Sequence, residues 1–371
     1  MDVYEVFYKN TVAEEVKVKK TEYDYVIVTQ LPAFYKINLY NEMSKRLKLF
    51  VIFLGTSTVE SRSTDFCSIE DACFDFLIVH EGNFQNRNRL LSAYKIFKAL
   101  NRTNFSILIT GGWDLFESWV LAFWYPKNFN SLALESGKES KTKGFKGFIK
   151  KVFLSRIKVV FVSGNAQKEV VEKLGFKKNI YTTGGVGIIN KIAYNRKSSV
   201  YSGKFLYVGR ISKEKNLELL ISTFKEMPSI SLSCIGTGPD LDLLEKIAPQ
   251  NVNFLGSLKN SILVEYYLNY DYLILPSYSE PWGLVIEEAL YYGLPVICSN
   301  NCGASELIQP SKNGYIFSLE EKLNLKTLLD SINNQNQYLS FNNKNMNFID
   351  DKDAQQVKVY SDALEVHKKL N

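Results

Sequence analysis

Short apolar runs alternate with amphipathic stretches along the whole chain, and the alternation stops once and restarts. In the first half the runs predict strands at 25–28, 49–54, 74–79, 105–109, 132–134 and 159–162, with helical stretches between most of them, as at 89–100 and 115–124. A polar, serine-rich break, NRKSSVYSGK, follows Tyr194. Beyond it strands are predicted at 205–208, 231–235, 252–255, 272–275 and 295–298, alternating with helices at 216–226, 240–247, 261–268 and 284–291. A strand that is apolar at consecutive positions must be covered on both faces, which means a parallel sheet sandwiched by helices. The reading is α/β, with two doubly wound, Rossmann-like domains joined near residues 190–203. A length of 371 residues agrees, since it exceeds what one hydrophobic core usually supports. The domains are assigned to 1–192 and 203–352. The asparagine-rich stretch 333–347 is expected to be loop, and 353–371, helical from Ala354 to Leu370, to be a helix closing back on the N-terminal domain.

Several function classes are set aside by composition. No apolar run approaches the ~18 residues of a membrane span, and the first twenty residues are mixed in charge, so a cytoplasmic protein is expected. Five cysteines at irregular spacing fit a reducing compartment better than a disulfide framework. His80 and His367 are the only histidines, which makes a zinc site an unattractive reading. A net charge of +6, from 45 basic and 39 acidic residues, is too mild to imply nucleic acid, and the basic cluster carries no base-stacking motif.

In open parallel sheets, ligands bind beyond the carboxyl ends of the strands, so the strand-to-helix loops of the second half carry the information. After FLYVG come Arg210 and Lys215, a guanidinium fork and an ammonium that suit a diphosphate; a solvated basic loop is the plainer alternative. In IGTGPDLDLL, Gly236 and Gly238 mark a tight turn, either an ordinary one or one that admits a ligand close to the backbone. Asp240 and Asp242 there complement a helix dipole, and no metal is assigned to them. The third loop, SEPWGLVIEEA, puts Glu280 before a helix start and Glu288 about one turn inside it. Amides near Gly283, Leu284 and Val285 are the free donors of that start, a site for phosphate. Glu288 leans back toward the same ligand. At about 1.5 Å of rise per residue the two glutamates bracket roughly a pyrophosphate. Hydroxyls at both ends and phosphates between them describe a nucleotide diphosphate sugar.

In chain order, YVGRISKEKN, CIGTGP, VNFLGSL, YLILPSYSEPWGLVIEEALYYGLPVICSN and GASELI followed by NGYIF resemble the nucleotide-binding domain of the retaining family-4 glycosyltransferases with the GT-B fold, over about residues 203–318. The resemblance implies two Rossmann-like domains facing across a cleft. It casts Glu280 as the residue contacting the transferred sugar, Glu288 as the ribose ligand, and Arg210 with Lys215 as the diphosphate clamp. Glu287 has no role to inherit and is expected to be solvated. Cations and helix amides would stabilise the leaving phosphate without a metal or cofactor beyond the nucleotide-sugar donor. Retention is implied too, yet no carboxylate nucleophile is evident; Glu280 is read as a positioning and electrostatic residue, and a front-face displacement follows. A nucleotide-sugar epimerase or hydrolase of the same fold, or a non-catalytic sugar-nucleotide-binding protein, are the competing classes.

The first half departs from that family. Many relatives carry a histidine where SLALESGKES stands here, so Glu135 is the acceptor-side candidate, as a base or hydroxyl ligand, with a helix-capping acid as the alternative; Ser136 lies beside it. Asp114, explained equally by an N-cap, and His80, after FDFLIV, are weaker acceptor-side candidates. Residues 141–156 set Lys141, Lys143, Lys146, Lys150, Lys151 and Arg156 among Phe145, Phe148, Ile149, Val152 and Phe153. Such a helix either lies on an anionic membrane surface or packs its apolar stripe on the sheet. Members of this family often build surface polysaccharides such as lipopolysaccharide on saccharide or lipid-linked acceptors at the inner face of the plasma membrane, and that resemblance favours a peripheral membrane enzyme.

Overall fold

The computed structural model describes residues 20–60, 65–67, 69–137, 140–194, 201–320, 322–335 and 344–370. The mixed-charge first nineteen residues and parts of the expected linker and asparagine-rich loop lie outside them. The first domain holds seven strands, β1 (Thr21–Thr29), β2 (Leu49–Phe53), β3 (Asp75–Ile78), β4 (Thr103–Gly111), β5 (Asn130–Leu134), β6 (Val159–Val162) and β7 (Ile180–Thr182). Its helices are α1 (Phe34–Ser44), α2 (Arg89–Leu100), α3 (Phe116–Trp124), α4 (Gly144–Ser155) and α5 (Asn165–Lys173). The second domain holds β8 (Lys204–Val208), β9 (Ser231–Ile235), β10 (Val252–Phe254), β11 (Tyr272–Leu275), β12 (Val296–Ser299) and β13 (Gly314–Phe317). Between and after them come α6 (Leu217–Lys225), α7 (Leu241–Ile247), α8 (Asn260–Asn269), α9 (Leu284–Tyr291), α10 (Lys322–Gln335) and α11 (Lys344–Leu370).

The sheets run β3-β2-β1-β4-β5-β6-β7 and β10-β9-β8-β11-β12-β13. The pairs are parallel, with Ile27 opposite Val51 and Ile109 in the first sheet, and Ile274 opposite Ile297 in the second. Strand order reverses at β1/β4 and at β8/β11, where the loops leave toward opposite faces and open a crevice. Burial on both faces explains the unbroken apolar runs: Tyr25, Val26, Ile27 and Val28 are all inside, as are the four residues of β11.

Three departures from the expected elements have physical causes. β7 and β13 are edge strands of three and four residues with half-exposed positions, too short and too wet for an apolar run. α1 buries Phe34, Lys36, Ile37, Leu39, Tyr40 and Met43, so no clean apolar stripe marks it. α11 begins at Lys344, well before 353, and is continuous across both domains. Its Ile349 joins the second core, while Val359, Tyr360, Ala363 and Leu364 join the first. Tyr360 stacks on Phe161 with ring centroids 4.8 Å apart, and Tyr25 donates its hydroxyl to the Tyr360 carbonyl at 2.8 Å. The C-terminal helix thus closes on the N-terminal domain.

Helix α4 packs only part of its apolar side inward. Gly147, Phe153 and Leu154 pack inward, but Phe145 and Phe148 stay 77% and 62% exposed, with Lys143, Lys146 and Lys151 exposed beside them. The neighbouring α3 adds Trp124, 71% exposed.

Candidate active site

The loops after β8 and β11 lie at the switch point of the second sheet and meet there. Tyr207, the fourth residue of β8, donates its hydroxyl to the Arg210 carbonyl at 2.7 Å and so fixes the turn. Asn216 takes the left-handed conformation (φ 57°), and its side-chain amide donates to the Pro276 carbonyl at 3.1 Å, which holds Lys215 against the β11 loop. Lys215 there forms an ion pair with Glu280, both side chains about 15% exposed or less. The chain then turns at Gly283, whose φ of 101° suits glycine; a Cβ there would stand 3.2 Å from the Glu280 side chain. α9 starts at Leu284, so its first-turn amides, which have no partner within the helix, open beside Glu280.

These groups face a cleft of about 640 Å³ between the two domains. Arg210, Lys215, Glu280, Gly283, Leu284, Val285 and Glu288 line one wall, and Tyr35, Glu60, Phe66 and Glu135 the other. Arg210 reaches across to Glu60 at 2.6 Å and also pairs with Glu214. Burial opposes the charge of Glu214, yet hydrogen bonds from Ser212 and Arg210 hold it down to about 2. Glu288 is buried and accepts from the Tyr267 hydroxyl at 2.6 Å. Burial pushes its carboxyl up to about 7, aided by the charges of Glu287 and Asp65 and opposed by the Tyr267 bond.

On the far wall, Glu135 pairs with the buried Lys36 at 3.0 Å, and Lys36 also donates to Thr29 at 3.1 Å. Burial works against the Lys36 charge, but Glu135 raises its pKa above the ordinary value. The helix-capping reading of Glu135 falls, because the next helix starts at Gly144 with Lys143 at its N-cap.

Other candidates are not among the described cleft residues. A Cβ on Gly238 would sit 2.1 Å from the Ile211 carbonyl, so that glycine serves the packing of two loops, and it is not among the described cleft residues. Asp114 is exposed and caps nothing, since Leu115 is the N-cap of α3. His80 follows the edge strand β3, and neither it nor Ser136 is among the described cleft residues. Glu287, expected in solvent, is fully buried: it accepts from the Trp282 indole and, at 2.7 Å, from Lys352 of α11. The cause is that α9 is enclosed on every side, with Ile286 through Tyr291 all buried. Lys36 carries a sequence signal, a lysine set between Phe34 and Ile37; Glu60 carries none.

Domain closure is anchored beside the same loop. Gln167 of α5 donates to the Pro281 carbonyl at 2.7 Å, and Glu306 accepts from the Asn165 backbone and side chain at 3.0 and 2.9 Å. Among the described residues no group of three His, Cys, Asp or Glu side chains gathers to hold a metal ion. None of the described helices is long and apolar enough to cross a membrane. Two cations and a helix start on one wall, bracketed by two carboxylates, can hold an anion whose ends carry hydroxyls.

Residues 193–348 match the family of glycosyl transferases group 1. Sulfoquinovosyl transferase SQD2 of Arabidopsis thaliana is 38% identical over 117 residues, 30% of this chain and 23% of that protein. O-antigen biosynthesis glycosyltransferase WbnH of Escherichia coli is 31% identical over 150 residues, 40% of this chain and 43% of that one. The matched stretch therefore spans less than half the length of either relative. Among solved structures, Anabaena Alr3699/HepE in complex with UDP and glucose superposes with a TM-score of 0.67 at 14% identity, covering 94% of this chain and 100% of that chain. The fold is GT-B.

Proposed function

We propose that this protein is a retaining glycosyltransferase that moves a sugar from a nucleotide diphosphate sugar to a saccharide or lipid-linked saccharide, in bacterial surface polysaccharide synthesis and without a metal. One observation carries the reading: at the switch point of the second sheet, Arg210 and Lys215 stand beside the open start of α9, with Glu280 and Glu288 on either side of it. The diphosphate takes the cations and the amides of Leu284 and Val285, the ribose donates to Glu288, and the sugar meets Glu280. Glu135, held by Lys36, accepts from a neighbouring hydroxyl of the acceptor on the opposite wall. The match to the glycosyl transferase family over the second domain and the UDP and glucose bound by HepE support the donor class. WbnH supports the polysaccharide setting.

In the reaction the anomeric C–O bond to the β-phosphate breaks while the acceptor oxygen bonds to the same face. The acceptor's proton passes to the leaving phosphate oxygen, whose new charge the cations and helix amides stabilise. Glu280 orients the sugar. The decisive experiment is a thermal-shift panel of UDP-, GDP-, ADP- and dTDP-sugars, followed by transfer assays with the stabilising donor. Glu280→Gln is expected to abolish transfer, and retained turnover sinks the assignment. A glycosyl adduct trapped on a side chain refutes the front-face step.

The protein works at the cytoplasmic face of the membrane in this reading. The exposed Phe145 and Phe148, ringed by lysines, support peripheral contact through residues 141–156, where each cation near an anionic surface contributes about 1 kcal/mol.

A further inference from the structure

Glu287 and Glu288 are consecutive on α9, so their side chains leave the helix in different directions. Glu288 meets Tyr267 and the cleft; Glu287 meets the junction of the domains. Three parts of the chain come together at that junction. The segment after β7 brings Gly185, where a Cβ would fall 2.9 to 3.2 Å from Gln356, Lys352 and Glu287, and Lys191, which pairs with Asp350 and, at 2.7 Å, with Asp353. The C-terminal helix brings Lys352, paired at 2.8 Å with Asp353 and at 2.7 Å with Glu287. α9 brings Glu287, whose other oxygen accepts the Trp282 indole N–H.

Trp282 is the last link. It is 2% exposed, lies between Glu280 and Gly283, and its ring faces Gly164 of the first domain, where a Cβ would be 2.7 Å away. Its carbonyl accepts from the Ala304 amide at 2.8 Å, and that of Glu280 accepts from Gly303 at 2.9 Å. An indole has one donor, so the Glu287 carboxylate decides which way the ring is turned. Buried ion pairs add little net stability compared with apolar residues of the same volume. Stability alone is a weak reason for this string of charges.

We propose that Glu287 is a positioning residue: with Lys352 it ties the C-terminal helix to Trp282, and so fixes the loop that carries Glu280 and the start of α9. The effect on turnover rests on the glycosyltransferase reading; the effect on the loop does not.

The test compares wild type, the apolar double variant Glu287→Leu/Lys352→Leu, Glu287→Gln and Trp282→Phe. Amide hydrogen exchange at Gly303 and Ala304, whose partners are the loop carbonyls, reports the position without any ligand. The double variant and Trp282→Phe are expected to exchange at least about tenfold faster there with β11 unchanged, and Glu287→Gln, which keeps an acceptor for the indole, to stay near wild type. Unchanged exchange in Trp282→Phe, which keeps an aromatic ring but lacks the indole donor, overturns the proposal even if the double variant fails to fold. With a stabilising donor found, kcat should fall by about tenfold while the donor KM holds within about threefold, as for a displaced catalytic group. A loosened loop with wild-type kcat also overturns it. If UDP, GDP, ADP and dTDP all leave the wild-type melting point unmoved, the donor reading fails, and hydrogen exchange still decides the positioning role.

Discussion

Replacing Glu60 with glutamine removes the only charge that the first domain presents to Arg210 among the described ion pairs. Both side chains are about one-third exposed, at 33% and 35%, so the pair is screened and is worth about 0.2–1 kcal/mol rather than a buried pair's energy. A diphosphate that takes the Arg210 guanidinium must displace Glu60 or share the fork with it, because Glu214 already holds another edge. Glu60→Gln should therefore tighten the binding of the stabilising nucleoside diphosphate, at up to about 1 kcal/mol or roughly fivefold in Kd. Titration calorimetry at low and high salt measures it, and the difference between variant and wild type should shrink as ionic strength rises. Weaker binding by Glu60→Gln would refute the reasoning, since it would make Glu60 a ligand of the donor. An unchanged Kd at low salt would refute it too, since the pair would then oppose nothing.

Glu288 offers a pH test. Its carboxyl is raised from 4.5 to about 7, so between those values the folded state holds the proton more tightly than the unfolded chain does. Stability from this group is complete below pH 4.5 and is lost as pH rises to 7, by about 3 kcal/mol; Glu288→Gln should flatten that part of the melting profile, and an unaltered slope would count against it. Tyr360→Ala removes a buried ring stacked on Phe161 and should cost about 3–5 kcal/mol in urea denaturation; a loss below 1 kcal/mol would mean that α11 is not integral to the first core. Phe145→Glu/Phe148→Glu should reduce sedimentation with phosphatidylglycerol-containing vesicles at least about tenfold at unchanged melting temperature. Equal sedimentation of variant and wild type would end the membrane reading.

Most of the sheet architecture was legible because fully buried strands are apolar at consecutive positions, a signal no exposed element mimics. The runs at 159–162 and 272–275 coincide with β6 and β11 to the residue, and the stretch 231–235 coincides with β9, where half-buried Ser231 and Ser233 alternate with buried Leu232 and Cys234. What escaped depends on contacts between residues far apart in sequence. Glu287 looks like any exposed glutamate until Lys352, 65 residues away, is packed against it. Lys36 is buried in contact with Glu135, which follows β5 and lies far from it in sequence. Edge strands such as β7 and enclosed helices such as α1 failed for opposite reasons, too little burial and too much, and either one erases periodicity.

Both cleft cations are held in ion pairs, Arg210 with Glu60 and Glu214, and Lys215 with Glu280. That arrangement limits the cost of holding like charges together in a half-buried space, but it also makes binding an exchange rather than an addition. In the proposed reaction a phosphate that takes Lys215 would deprive Glu280 of its partner as a sugar hydroxyl arrives beside it. A carboxylate 14% exposed and newly unpaired has a strong need for a donor, which the sugar would supply. In the proposed reaction, diphosphate capture and sugar orientation are then one event, coupled through a single ion pair, and neither half of the donor would be held as well without the other.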